Sequence, residues 1–213
     1  MVQMSLVRLA IIALALLLAA CAASGPVERD RYYRLSPAEA LAIAPAGRPV
    51  AATLRVDPLA ARGFLGGREI VYRTGEAPHE VQRHQYHLWE TPPAVALADA
   101  LVEALRAARL FEFVADRSGG GRADYLLDGT LRAFEHHPDD RSARVVVAFD
   151  LILSDARTRR TRLTRSYRGE EPLAADDPSD MVAAFERLTA RLIGEAVRDL
   201  QAERPRLVAG GAR

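Results

Sequence analysis

Five histidines, a single cysteine, one glycine-rich stretch and several clusters of like charge are the parts of this sequence with chemical reach. His84 and His87 lie three apart and His136 and His137 are adjacent. On a strand both spacings send the rings to opposite faces, so neither pair forms a local chelate, and solvated strand-end imidazoles are the plain reading. A site assembled across elements stays open. Nucleophilic catalysis has no foothold: there is no Gly-x-Ser-x-Gly elbow and no second cysteine. Residues 63–67 (GFLGG) lack the lysine and the frame of a phosphate-cradling loop, and read as a turn. All 29 basic residues are arginine, which excludes a Schiff-base or phosphate-loop lysine. The acidic pairs Glu170-Glu171 and Asp176-Asp177 read as solvated faces. So does the run Arg157, Arg159, Arg160 and Arg162, whose functional alternative is contact with acidic lipid headgroups or a partner. No catalytic residue, no metal site and no diffusible cofactor is expected.

The rest of the chain must position whatever function remains. Its 213 residues are 49% hydrophobic with a formal net charge of +1, which suits one domain with a sizeable core and gives no general attraction to nucleic acid. Residues 9–20 (LAIIALALLLAA) form an uncharged run after Arg8. As a helix this run rises about 18 Å, short of a hydrocarbon core of about 30 Å, so it reads as a secretory signal and not a membrane span.

Leu18-Ala19-Ala20-Cys21 resembles the lipobox of bacterial lipoproteins. That resemblance implies cleavage before Cys21, a diacylglyceryl thioether on its sulfur and an acylated amine, which together make a stable membrane anchor. The alternatives are an ordinary signal peptide cut near Ala23 and an N-terminal helix kept whole. Ala22 stands where an aspartate marks inner-membrane retention in Gram-negative lipoproteins. Resemblance to that sorting rule implies the outer membrane, with the domain facing the periplasm. The expected organisation is a signal peptide at 1–20, a lipidated N-terminus and flexible tether at 21–31, a single domain at 32–204 and a frayed tail at 205–213.

Within the domain, strands are expected at residues 32–35, 51–57, 69–73, 84–90, 111–114, 124–134, 144–153 and 159–169, with a short helix near 36–44. The last three strands read as a meander with one wet face. Leu163 and Tyr167 point inward, and Tyr125, Leu127, Leu131 and Ala133 share one side of the strand at 124–134. A helix at 93–109 carries Val95, Ala98, Leu101, Val102 and Leu105 on one stripe. A second, at about 179–202, carries Val182, Phe185, Leu188, Leu192, Ala196 and Leu200. The fold class is α+β, a mainly antiparallel sheet with two amphipathic helices packed on one face.

The stretch from Leu54 to Leu105 (LRVDPLAARGFLGGREIVYRTGEAPHEVQRHQYHLWETPPAVALADALVEAL) resembles the ABC-type transport auxiliary lipoproteins, the PqiC-like family. Tyr32-Tyr33-Arg34-Leu35 and Tyr125-Leu126-Leu127-Asp128-Gly129 fit as well, while Leu88 stands where many relatives have arginine before the tryptophan. The resemblance implies a non-catalytic accessory of a lipid-transport system. Its partners would be an MCE-domain protein and an inner-membrane ABC permease and ATPase, with phospholipid contact and self-association left open. Ile70, Val71, Tyr72, Trp89 and the loop Phe64, Leu65 and Arg68 are candidates for the contact surface. Core packing is the alternative for the large apolar members. The runner-up function is an envelope small-molecule binder or enzyme with a histidine-containing pocket.

Overall fold

In the computed structural model, residues 28–37, 43–45, 47–77, 79–119, 121–138, 142–175 and 177–211 are described. The expected signal segment, Cys21 and most of its tether, the middle of the expected helix at 36–44, and Asp139 and Asp140 of the meander's first turn lie outside them. Among the described residues, eight strands and two long helices belong to one compact unit, Arg31–Arg213. The strands are β1 (Arg31–Tyr33), β2 (Val50–Val56), β3 (Glu69–Tyr72), β4 (Gln82–Trp89), β5 (Phe111–Ala115), β6 (Tyr125–His137), β7 (Arg144–Asp155) and β8 (Thr161–Pro172). The helices are α1 (Pro93–Ala107) and α2 (Pro178–Gly211), and a 3₁₀ turn spans Gly63–Gly66.

The meander β6-β7-β8 is antiparallel throughout, as its short connections require. The other edge of β6 carries two strands end to end. β2 pairs with its first part, from Leu54↔Tyr125 to Val56↔Leu127. β3 pairs with its last part, at Val71↔Glu135 and Tyr72↔His136. Ala60 bridges the gap: its amide donates to the Gly129 carbonyl, and its own carbonyl accepts from Leu131, both at 2.9 Å. The sheet therefore forks into a β2-β5 arm and a β3-β4-β1 arm. Its longest ladders are antiparallel, in keeping with the expected class. The pairs β1/β4, β2/β5, β2/β6 and β3/β6 are parallel, so the sheet is mixed. Parallel pairing arises where the chain returns by a crossover, as when α1 carries it from β4 to β5 alongside β2.

β6 changes face midway. Leu131 opposes Phe149 and Ala133 opposes Ala148, so Arg132 is an extra residue on β6. Beyond this bulge the parity reverses. Tyr125, Leu127 and Leu131 lie in the main core as expected, but the next core residue is Phe134. Ala133 instead joins Val146 and Ala148 in a small cluster on the other face. Before the bulge, Gly129 allows β6 and β7 to approach closely, since a Cβ there would lie 1.9 Å from the Asp150 carbonyl oxygen.

Both helices cover the face that carries the main core. α1 is alanine-rich and buries Leu97, Leu101 and Leu105 completely, whereas Val95 is only half-buried. Small side chains permit close packing, and proline at its first position suits a helix start. α2 is capped by Asp177, whose Oδ1 accepts the amides of Ser179 and Asp180 at 2.8 and 3.0 Å. Glu171 ties β8 to α2 by accepting from Arg187 and Arg191 at 3.1 and 2.8 Å. Glu170, Glu171 and Asp177 thus serve the fold, while Asp176 lies outside the described residues. The centre of the core is aromatic: Phe134 and Phe185 stack with centroids 4.3 Å apart, and Trp89 meets their edges at 5.5 and 5.3 Å.

The expected frayed tail from Pro205 is helical instead, through Gly211. Proline removes one backbone donor and disfavours a helix interior. The turn around it is held by Leu207, which is fully buried and whose carbonyl accepts from the Tyr125 hydroxyl at 3.3 Å.

Phe185→Ala is expected to cost about 3–5 kcal/mol of unfolding free energy, and Gly129→Ala about 1–3 kcal/mol through overpacking against β7. Urea denaturation followed by the fluorescence of the single, buried Trp89 measures both.

Candidate functional site

The 3₁₀ turn lies between the bridge at Ala60 and the start of β3. Gly63 opens it at φ 59°, a left-handed conformation that glycine adopts without strain. Phe64 is thereby left 44% exposed, and Leu65 tucks partly against the core. The Arg83 guanidinium lies 5.2 Å from the Phe64 ring centroid and donates to Glu69 Oε1 at 2.7 Å. Arg68 stands 5.2 Å over the Tyr32 ring, which is 53% exposed. The backbone holds these pieces together: Trp89 donates to the Arg68 carbonyl at 2.6 Å, and Glu90 to the Tyr33 carbonyl at 2.7 Å. Arg34 donates to both Glu90 oxygens at 2.6 and 3.2 Å, and this keeps the carboxyl below its usual pKa.

Phe64, Leu65 and Arg68 thus share one surface, extended by Tyr32, Arg83, Arg34 and Glu90, which the sequence did not single out. The period-2 exposure of β4 offered a signal for Arg83, since it lies on the wet face opposite the half-buried His84. Ile70, Val71 and Trp89 do not belong to this surface. They are 0%, 3% and 1% exposed, and their role is packing, which corrects their assignment to a contact surface. Tyr72 is half-buried and donates to Gln82 Oε1.

The histidines depart from expectation. Between β3 and β4 the register moves from Glu69↔Leu88 to Val71↔Arg83, so β4 carries extra residues opposite a short step of β3. Strict alternation does not survive that irregularity, and His84 and His87 fall on one side with centroids 5.4 Å apart. The β6 bulge turns His136 to the same side, 6.0 Å from His84. Tyr72 packs 4.7 Å from His84, and the Tyr33 hydroxyl and His87 Nδ1 hydrogen-bond at 2.9 Å. His136 is buried and His84 and His87 half-buried, so the expectation of solvated strand-end rings fails for these three. His137 points to the opposite face, as adjacency requires, and meets Glu135 at 3.3 Å.

This row is ring packed on ring. Among the described residues no group of three His, Cys, Asp or Glu has the arrangement to hold a metal ion. The open face of the sheet is paired in the same thorough way, with Arg73 to Glu135 at 2.9 Å, Arg132 to Asp150 at 2.7 Å and Arg144 to Glu170 at 3.0 Å. Among the described residues no helix is long and apolar enough to cross a membrane.

Fold and surface together define an α+β domain whose open sheet face carries paired charges and which presents an aromatic and arginine surface. The chain belongs to the ABC-type transport auxiliary lipoprotein family, whose pattern matches residues 33–197. Protein XCC0632 from Xanthomonas campestris has a similar fold at TM-score 0.71 and 21% identity, covering 83% of this chain and 97% of that one. A second crystal structure, of an uncharacterised protein, matches at TM-score 0.62 and 20% identity over 81% and 99% of the two chains. The PelC dodecamer from Paraburkholderia phytofirmans is more distant, at TM-score 0.45 and 14% identity over 75% and 93%. No curated protein matches the sequence.

Burial, and then the neighbouring His87, hold the His84 pKa below its ordinary 6.5. Below that pH the unfolded chain binds a proton here that the folded chain refuses, so stability is present above it and declines as pH falls toward the lowered folded value. The urea midpoint should drop between pH 7.5 and 5.5, and His84→Gln should shrink that drop.

Proposed function

We propose that this chain is a lipid-anchored, non-catalytic adaptor on the periplasmic side of the outer membrane. In this reading diacylglycerol and an N-acyl chain on Cys21 fix it there. The domain docks the MCE-domain protein of an inner-membrane ABC permease and ATPase that move lipid across the envelope. The observation that carries the reading is the family match over residues 33–197, beginning a short tether beyond the lipobox cysteine. The pairing of polar groups within the sheet supports a docking role over a catalytic one. Phe64, Leu65 and Arg68, with Tyr32 and Arg83, form the docking surface. Exposed aromatic rings backed by guanidinium groups have the composition of interface hot spots, which combine large contact area with directional hydrogen bonding.

A photo-crosslinking residue at Phe64 in the full chain should capture the MCE-domain protein, identified by mass spectrometry. Tyr32→Asp with Arg68→Glu should reduce capture at least tenfold without shifting the thermal midpoint, because both side chains are exposed. Capture unaffected by both changes would refute this surface. Cys21→Ser should abolish the mass increment of the acyl chains and release the chain from the membrane fraction.

A further inference from the structure

A cleft of about 700 Å³ lies at the end of the sheet where β6 begins, away from both the docking surface and the histidine row. Arg48, Arg122, Arg157 and Arg204 line it. Among the described residues none of these four side chains has an ion-pair partner. Arg204 Nε is, moreover, shielded from solvent with no hydrogen bond. The two carboxylates in the lining are already engaged. Asp124 accepts the Thr53 amide at 2.8 Å. Asp155 accepts the Arg157 and Thr158 amides at 3.1 and 2.8 Å and pairs with Arg162 at 3.4 Å. Four arginines against two aspartates leave the lining of the cleft with a net positive charge.

The remaining wall is apolar. Val208 is 51% exposed at the end of α2, beside buried Leu207 and Tyr125 and the small side chains of Ala51 and Ala52. Arginine matches phosphate and carboxylate groups through paired N–H donors. An exposed valine next to four such cations gains only from an apolar group on the same ligand. We infer that the cleft binds a single anionic amphiphile, its phosphate or carboxylate head among Arg122, Arg157 and Arg204 and its alkyl chain along Val208. A concave cleft suits one captured molecule better than a flat bilayer surface. Arg157, the first residue of the arginine run, thereby acquires a role, while Arg162 is spent on Asp155. The inference rests on the transport reading only in naming what the domain itself would hold; the cleft's chemistry stands apart from any docking partner.

Native mass spectrometry of the detergent-solubilised full chain tests it, with dioleoylphosphatidylglycerol, dioleoylphosphatidylcholine and glycerol 3-phosphate as probes. One-to-one phosphatidylglycerol adducts should form at least tenfold more readily than phosphatidylcholine adducts. The double change Arg122→Gln and Arg157→Gln, and separately Val208→Asp, should each weaken them at least tenfold while circular dichroism stays native. Equal retention of phosphatidylcholine, or phosphatidylglycerol binding untouched by either variant, overturns the inference. Glycerol 3-phosphate binding as tight as phosphatidylglycerol and indifferent to Val208→Asp would reassign the cleft to a small soluble anion. Vesicle co-sedimentation without one-to-one adducts would reassign it to a membrane surface. None of these outcomes bears on crosslinking at Phe64, so failure here leaves the docking reading to its own test.

Discussion

One strand edge has to satisfy two partners. β6 offers a single row of amides and carbonyls opposite β7, and that row is divided between β2 and β3. Buried backbone groups must be paired, so the segment between these two strands cannot simply loop away. Ala60 fills the interval by bonding to Gly129 and Leu131. The fork follows from this division, and so does the placement of the 3₁₀ turn, which has to leave the sheet and rejoin it before β3. The exposed Phe64 is thus a by-product of how the β6 edge is shared.

The bulge at Arg132 makes that division compatible with one core. Without it, the residues of β6 facing α2 would keep the parity of Leu131, and Phe134 would point away from Phe185. With it, Phe134 stacks on Phe185 while Ala133 and Glu135 turn to the open face. A small residue there leaves room for the ion pair between Arg73 and Glu135. The same reversal delivers His136 to the side of His84, so one extra residue sets both the aromatic core and the imidazole row.

Much of this was readable in the chain. Alternation in β2, β7 and β8 and the leucine spacing of both helices express two periods that one-sided burial imposes, and apart from the C-terminal end of α2 their boundaries fall close to those observed. Loop and strand ends carry local signals such as Pro93 and Asp177. What was hidden has no local signature. Arg132 looks like any polar strand residue, yet it reverses the meaning of every position after it. The irregularity in β4 is set by its pairing with β3, so the histidine spacing misled. Ile70 and Trp89 are large and apolar, and only the fold tells a core residue from a docking one. Pro205 argued for a helix end that the burial of Leu207 overrides.

Charge separates the faces more sharply than composition suggests. A chain with 29 basic and 28 acidic residues is near neutral, and along the open sheet face each arginine has its carboxylate. Pairing of this kind contributes little stability per contact where water screens it, but it leaves the face without net attraction for a charged partner. Arginines in excess over carboxylates gather instead at the start of β6, where the end of α2 adds apolar surface. A domain that neutralises itself across its broad face and leaves charge beside hydrocarbon at one end discriminates among ligands by head and tail together, because neither contact alone distinguishes an amphiphile from an inorganic anion or a neutral lipid.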